Sequence, residues 1–170
     1  MEEFQFSIDY KSINPIDSLT EFPYQKRLLY IFHANKIPPH IGWSENNTFY
    51  SLKALGVDIG LDTNKINHIV LKKQIPTLIV EIVDLVKDNH DTREIFTSYG
   101  EGLDKGKTCL NPIDEVLFNR VKHDKVGDLL QTLLDMRMKL VFYGVNLPQS
   151  FQGILEYSKV DIEKRIFELQ

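Results

Sequence analysis

Arg27-Leu28-Leu29-Tyr30-Ile31-Phe32-His33 opens the stretch that decides the fold, and His40-Ile41-Gly42-Trp43-Ser44-Glu45-Asn46-Asn47-Thr48-Phe49-Tyr50-Ser51-Leu52-Lys53-Ala54-Leu55 completes it. Leu28 to Phe32 is a continuous apolar run with aromatic content, as in a strand covered on both faces. Pro38 and Pro39 cannot continue it, because neither carries a ladder donor. His40 to Ser44 reads as the next strand. Glu45-Asn46-Asn47 reads as a tight turn, since asparagine tolerates positive φ. Thr48 to Leu55 returns, with Phe49 and Ser51 on one face and Tyr50 and Leu52 on the other.

Working outward, Phe4, Phe6, Ile8 and Tyr10 alternate with polar residues, which predicts an edge strand. Asn14-Pro15 and Phe22-Pro23 then read as punctuation in a loop. Gly56 to Gly60 is a short strand or a turn. Asp62 or Thr63 caps a helix to about Lys73 whose apolar face is Ile66, Ile69 and Val70. Thr77 to Val83 is another apolar strand, so the order is β-α-β with strand directions open.

In the second half, Asp91-Thr92-Arg93-Glu94 resembles a capping box and opens a short helix. Asn111 caps the next helix, with Pro112 at its first position and Ile113, Val116 and Leu117 inward. Val126, Leu129, Leu130, Leu133 and Leu134 give the clearest helical stripe. Lys139 to Tyr143 is a candidate last strand, followed by a loop over residues 144–153. Ser158 with Asp161 starts a terminal helix with a buried stripe of Ile162, Ile166 and Leu169. These segments predict one α+β domain over residues 1–170. It has a mixed sheet of about four or five strands in the N-terminal half, helices packed on it, and a helix-rich C-terminal half.

The 42% hydrophobic and 26% charged composition is that of a globular domain and excludes global disorder. A formal charge of −4 argues against a general nucleic-acid binder, which needs a basic stripe. Arg120, Lys122 and Lys125, around His123, read as a solvated basic face. No apolar run approaches the ~20 residues of a membrane helix. The acidic start Met1-Glu2-Glu3, with no apolar segment after it, is not a secretory leader, and the expected location is the cytoplasm. One cysteine, Cys109, allows no internal disulfide.

Gly106-Lys107-Thr108 ends a glycine-rich loop, but the position five before Gly106 is Glu101, and a helix rather than a strand precedes the loop. Phosphate binding there is rejected. The histidines at 33, 40, 68, 90 and 123 show no i, i+4 pair and no zinc signature. No cofactor or metal is expected. The sharper chemical reading pairs Cys109 with His40. A thiol nucleophile needs a base and a positive site, and a helix start supplies partial positive charge. Cys109 lies just before the helix that begins near Pro112, while His40 opens a strand that can pack beside it. Gly42 lets neighbouring backbone approach. The bland alternative makes His40 a strand-end residue bonded to backbone and Cys109 a small core hydrophobe.

The order strand, His40-Ile41-Gly42-Trp43-Ser44, turn, Thr48-Phe49-Tyr50-Ser51-Leu52, and later a cysteine at a helix start resembles the circularly permuted branch of the NlpC/P60 papain-like superfamily. That branch includes lecithin–retinol acyltransferase-like proteins. The resemblance covers roughly residues 27–55 and 106–121. It implies His40 as base, Cys109 as nucleophile and Ser51 as candidate third polar member. The implied chemistry is thiol attack on a small amide or ester through an acyl-enzyme. Two function classes follow. One is a cysteine hydrolase or acyltransferase. The other is a non-catalytic accessory or protein-interaction domain, or an oligomer subunit.

Overall fold

The computed structural model describes residues 2–24, 26–85, 91–100 and 107–169. It is an α+β fold organised on β3 (Arg27–Phe32), which is buried from Leu28 to Phe32. β4 (His40–Glu45) and β7 (Thr77–Val83) flank it, both antiparallel. β5 (Thr48–Lys53) and β6 (Gly56–Asp62) extend one side. β8 (Lys139–Val145) extends the other, and β2 (Ile13–Ile16) closes that edge parallel to it. The sheet order is β2-β8-β7-β3-β4-β5-β6. Asn46 and Asn47 take φ of 50° and 62°, the left-handed pair expected of a two-residue hairpin turn between β4 and β5.

The sheet has seven strands rather than four or five, and a separate pair joins β1 (Phe4–Ser7) to β9 (Gly153–Leu155). Two sequence signals explain the difference. Asn14-Pro15 looks like punctuation, yet Pro15 sits on an edge strand, where a missing N–H costs nothing. β9 has three residues, too few for an alternation to register. β8 is one of the sheet's inner strands, so the C-terminal half contributes to the sheet as well as the helices.

One face of the sheet carries Leu29, Ile31, Ile41, Trp43, Leu78 and Val80. It is covered by α2 (Thr92–Ser98), α3 (Asn111–Phe118), α4 (Val126–Asp135) and the β1–β9 pair, through Phe96, Ile113, Leu129, Leu130 and Ile154. The other face carries Leu28, Tyr30, Phe32, Phe49 and Ile79, covered by α1 (Thr63–Lys72) and the N-terminal segment through Val70, Ile16 and Phe22. The β6–α1–β7 connection does not join neighbouring strands. It carries the chain from the β6 edge across the sheet to β7, beside β3.

Helix faces differ from the apolar spacing in two places. In α1 the buried residues are Thr63, Asn67 and Val70, and Ile69 is 44% exposed. The polar pair wins because both are hydrogen-bonded inward: Ser44 and Thr63 share a bond of 2.7 Å, and Tyr30 donates to Asn67 at 2.8 Å. In α5 (Lys159–Leu169) no residue is fully buried; Ile162 and Ile166 are half-buried and Leu169 is exposed. At α3, Leu110 rather than Asn111 is the N-cap. The Asn111 Oδ1 instead accepts from the Thr108 N–H at 2.9 Å.

Candidate functional site

α5 lies across one end of the sheet, beside the β3–β4 and β5–β6 turns, and encloses a cleft of about 670 Å³. Ile37 and Pro38, joined by a cis peptide bond, face it from the first turn, and Leu55 from the second. Residues 108–110, Tyr157 and the Ile162–Ile166 side of α5 complete the wall. The stripe that the sequence assigns to the core is therefore a cleft wall. His40 and Cys109 both line this cleft.

They reach it from opposite faces of β4. His40 pairs across the ladder with Phe32 and stacks on its ring, with centroids 5.8 Å apart and planes 19° apart. Phe32 belongs to the α1-covered face. Cys109 packs with the other core, the one that contains Ile41. No hydrogen bond joins the imidazole to the thiol among the described residues.

The electrostatics run against an activated pair. Burial pushes the Cys109 thiol up to about 11, against the weaker pull of the Ile41 and Cys109 backbone N–H groups. Burial pushes His40 down to about 4, with Asp58 opposing and Lys53 and His33 adding to the shift. At neutral pH the site holds a neutral imidazole and a protonated thiol. Cys109 also precedes the N-cap of α3, outside the turn where the helix dipole acts most strongly.

Ser51 does not complete the pair. Its hydroxyl donates to Asp58 at 2.9 Å, and Asp58 also holds Lys53 at 2.9 Å across the β5–β6 hairpin. This Ser51–Asp58–Lys53 cluster acts on His40 through the charges of Asp58 and Lys53. Gly42 is needed for a reason other than backbone approach. A Cβ there would sit 2.4 Å from Phe49 Cζ and 3.3 Å from Phe32 Cε2, so two aromatic rings occupy its space. Gly42→Ala is expected to destabilise by roughly 1–3 kcal/mol through overpacking, read as a lower urea midpoint.

The depressed His40 has a consequence for acid stability. Below pH 6.5 the unfolded chain takes up a proton that folded His40 refuses until about pH 4. Stability is therefore full above that window and falls as the pH drops through it. Allowing for partial solvent access, the loss is about 2 kcal/mol. Urea midpoints at the two ends of the window should differ less in His40→Gln than in the parent protein.

Sequence spacing missed a buried network between α3 and α4. Asp114, fully buried, accepts from His123 Nδ1 at 2.7 Å and from the backbone N–H groups of Lys122 and His123 at 2.8 and 2.5 Å. His123 Nε2 bonds Thr132 Oγ1 at 2.8 Å. Asp114 falls on the inward side of α3 next to Ile113, which was the available signal. In the basic cluster beside it, Lys125 pairs with Glu156 and Lys122 sits 5.3 Å from the Phe118 ring centroid.

The glycine-rich segment over residues 101–106 and His90 lie outside the described residues. Among the described residues, no group of three or more His, Cys, Asp or Glu is placed to hold a metal ion. Nor is any helix long and apolar enough to cross a membrane. Compared with known proteins, the chain matches no family model, no curated protein and no solved structure.

Proposed function

We propose that this protein is a non-catalytic accessory or interaction domain whose binding site is the cleft between α5 and the two hairpin turns. One observation carries the reading. The two groups in the cleft with the chemistry for catalysis, Cys109 and His40, are held protonated and neutral respectively, on opposite faces of β4. The cleft itself has the size of a ligand site, roughly 300–1,000 Å³, with mostly apolar walls. Ligand-observed NMR against a small-molecule fragment set tests it. Hits are expected that disappear in Ile166→Trp, which fills the cleft from its α5 wall. Hits that survive in Ile166→Trp place binding elsewhere and sink the reading. We assign the cytoplasm as location, in keeping with a domain that uses no internal disulfide. The net charge of −4 supports leaving nucleic acid out of the partner classes.

A second reading is a cysteine hydrolase or acyltransferase of the papain-like kind. Its support is that Cys109 and His40 line one cleft. The thiolate would attack an ester or amide carbonyl and release the alcohol or amine. Water, or a second acceptor, would then take the acyl group from sulfur. Turnover of a small ester that is lost in Cys109→Ser would establish it. Equal background rates in both proteins would remove it.

A further inference from the structure

The charges that line the cleft cancel. Lys53 is held by Asp58 at 2.9 Å and Arg165 by Glu168 at 3.6 Å. Lys36, on the β3–β4 turn, is offset by Asp124 on the segment before α4. His33 is lowered first by burial, so it adds no charge at neutral pH. A charged ligand would enter apolar walls with no surplus counter-charge to repay its lost hydration. The C-terminal half of α5 also lines the cleft, and the negative end of its dipole adds to the cost of an anion.

His40 is the polar group left over. Its ring is half-buried in the cleft lining and stacks on Phe32, with centroids 5.8 Å apart. Among the described residues, no hydrogen bond reaches either of its ring nitrogens. The side-chain polar atoms sealed from solvent without a partner are Asn35 Oδ1 and Asn67 Nδ2, so the His40 nitrogens stay open to the cleft. The neutral imidazole offers one donor and one acceptor, and no partner fixes its tautomer. A hydroxyl can donate to the bare nitrogen or accept from the N–H, so it fits whichever faces it. A ligand without such a group would displace water from the ring and leave it unanswered, which costs affinity.

We propose that the cleft takes an uncharged apolar molecule bearing one hydroxyl, the hydroxyl on the His40 imidazole and the apolar body against Ile37, Ile162 and Ile166. The inference rests on the cleft being the binding site. The hydrogen bond fixes orientation, and apolar burial supplies the remaining affinity.

Ligand-observed NMR titration of the intact protein with octanol, its isomer heptyl methyl ether, octanoate and octyltrimethylammonium tests this. Octanol is expected to bind at least about tenfold more tightly than either ion, since neither ion finds a surplus counter-charge. It should bind at least about fivefold more tightly than the ether, which cannot donate. His40→Phe keeps a ring to stack on Phe32 and removes the nitrogens. There the preference for octanol over the ether should fall to within about twofold. Equal binding of octanol and ether, tighter binding of either ion, or a preference that survives in His40→Phe overturns the hydroxyl class and leaves the cleft reading standing. The ligand series on the parent protein decides the class even where His40→Phe does not fold. If none of the four binds, or if Ile166→Trp leaves all binding unchanged, the cleft reading falls and takes the inference with it.

Discussion

Asp114→Ala is expected to destabilise the protein by about 3–5 kcal/mol, because each buried donor left without an acceptor costs about 1–3 kcal/mol. Asp114 has no exposed surface and receives three hydrogen bonds, two from backbone N–H groups and one from the His123 ring. Alanine would leave two buried donors on His123, and the part-buried Lys122 N–H, without an acceptor. It would also free the segment between α3 and α4, because His123 ties that segment to Thr132 on α4. The size of the loss follows from this double role, as the hydrogen-bond partner of the His123 ring and as the acceptor that shapes a loop. Asp114→Asn keeps an acceptor for the two N–H groups and should cost clearly less. Thr132→Val removes one bond at the partly exposed end and should cost about 1 kcal/mol. Urea unfolding of the three variants gives the order. An Asp114→Ala midpoint close to that of the parent would show that the network holds nothing together.

Cys109 is expected to react with a thiol-directed reagent about 100-fold more slowly in the folded protein than in the urea-unfolded chain at the same neutral pH. The thiolate is the reactive form. Folding moves the thiol from 9.0 to about 11, which lowers the thiolate fraction by about two orders of magnitude. Burial of the sulfur against the Ile41 backbone slows access further. The same shift has a stability sign. A thiol whose folded value is raised stabilises the native state fully below pH 9, and that contribution is lost as the pH rises toward 11. Rapid labelling at neutral pH, slowed by His40→Ala, would contradict the geometry and restore the hydrolase reading. Slow labelling unaffected by His40→Ala is the outcome that two groups on opposite faces of a strand require.

The strands from Arg27 to Lys53 were legible because each rests on local physics. Pro38 and Pro39 keep β3 from running on into β4, two asparagines turn β4 into β5, and the continuous apolar run of β3 requires cover on both faces. The Ser158–Asp161 capping box is seen as read, with reciprocal bonds of 2.6 and 3.3 Å between backbone and side chain. β2, β9 and the true inward face of α1 were not legible. Their signals depend on who the neighbour is: β8 beside Pro15, β1 beside a three-residue strand, Tyr30 opposite Asn67.

By itself the sequence determined the α+β class, the central hairpins, the helix starts and the residues worth weighing at a site. Only the tertiary structure decided what those residues can do. Alternation along β4 sends His40 and Ile41 to opposite faces, and the chain's return through α3 puts Cys109 under the second of them. Whether two reactive side chains meet depends on which face each occupies and on what water is excluded around it. Both are set by packing between segments nearly seventy residues apart, and no local pattern encodes them.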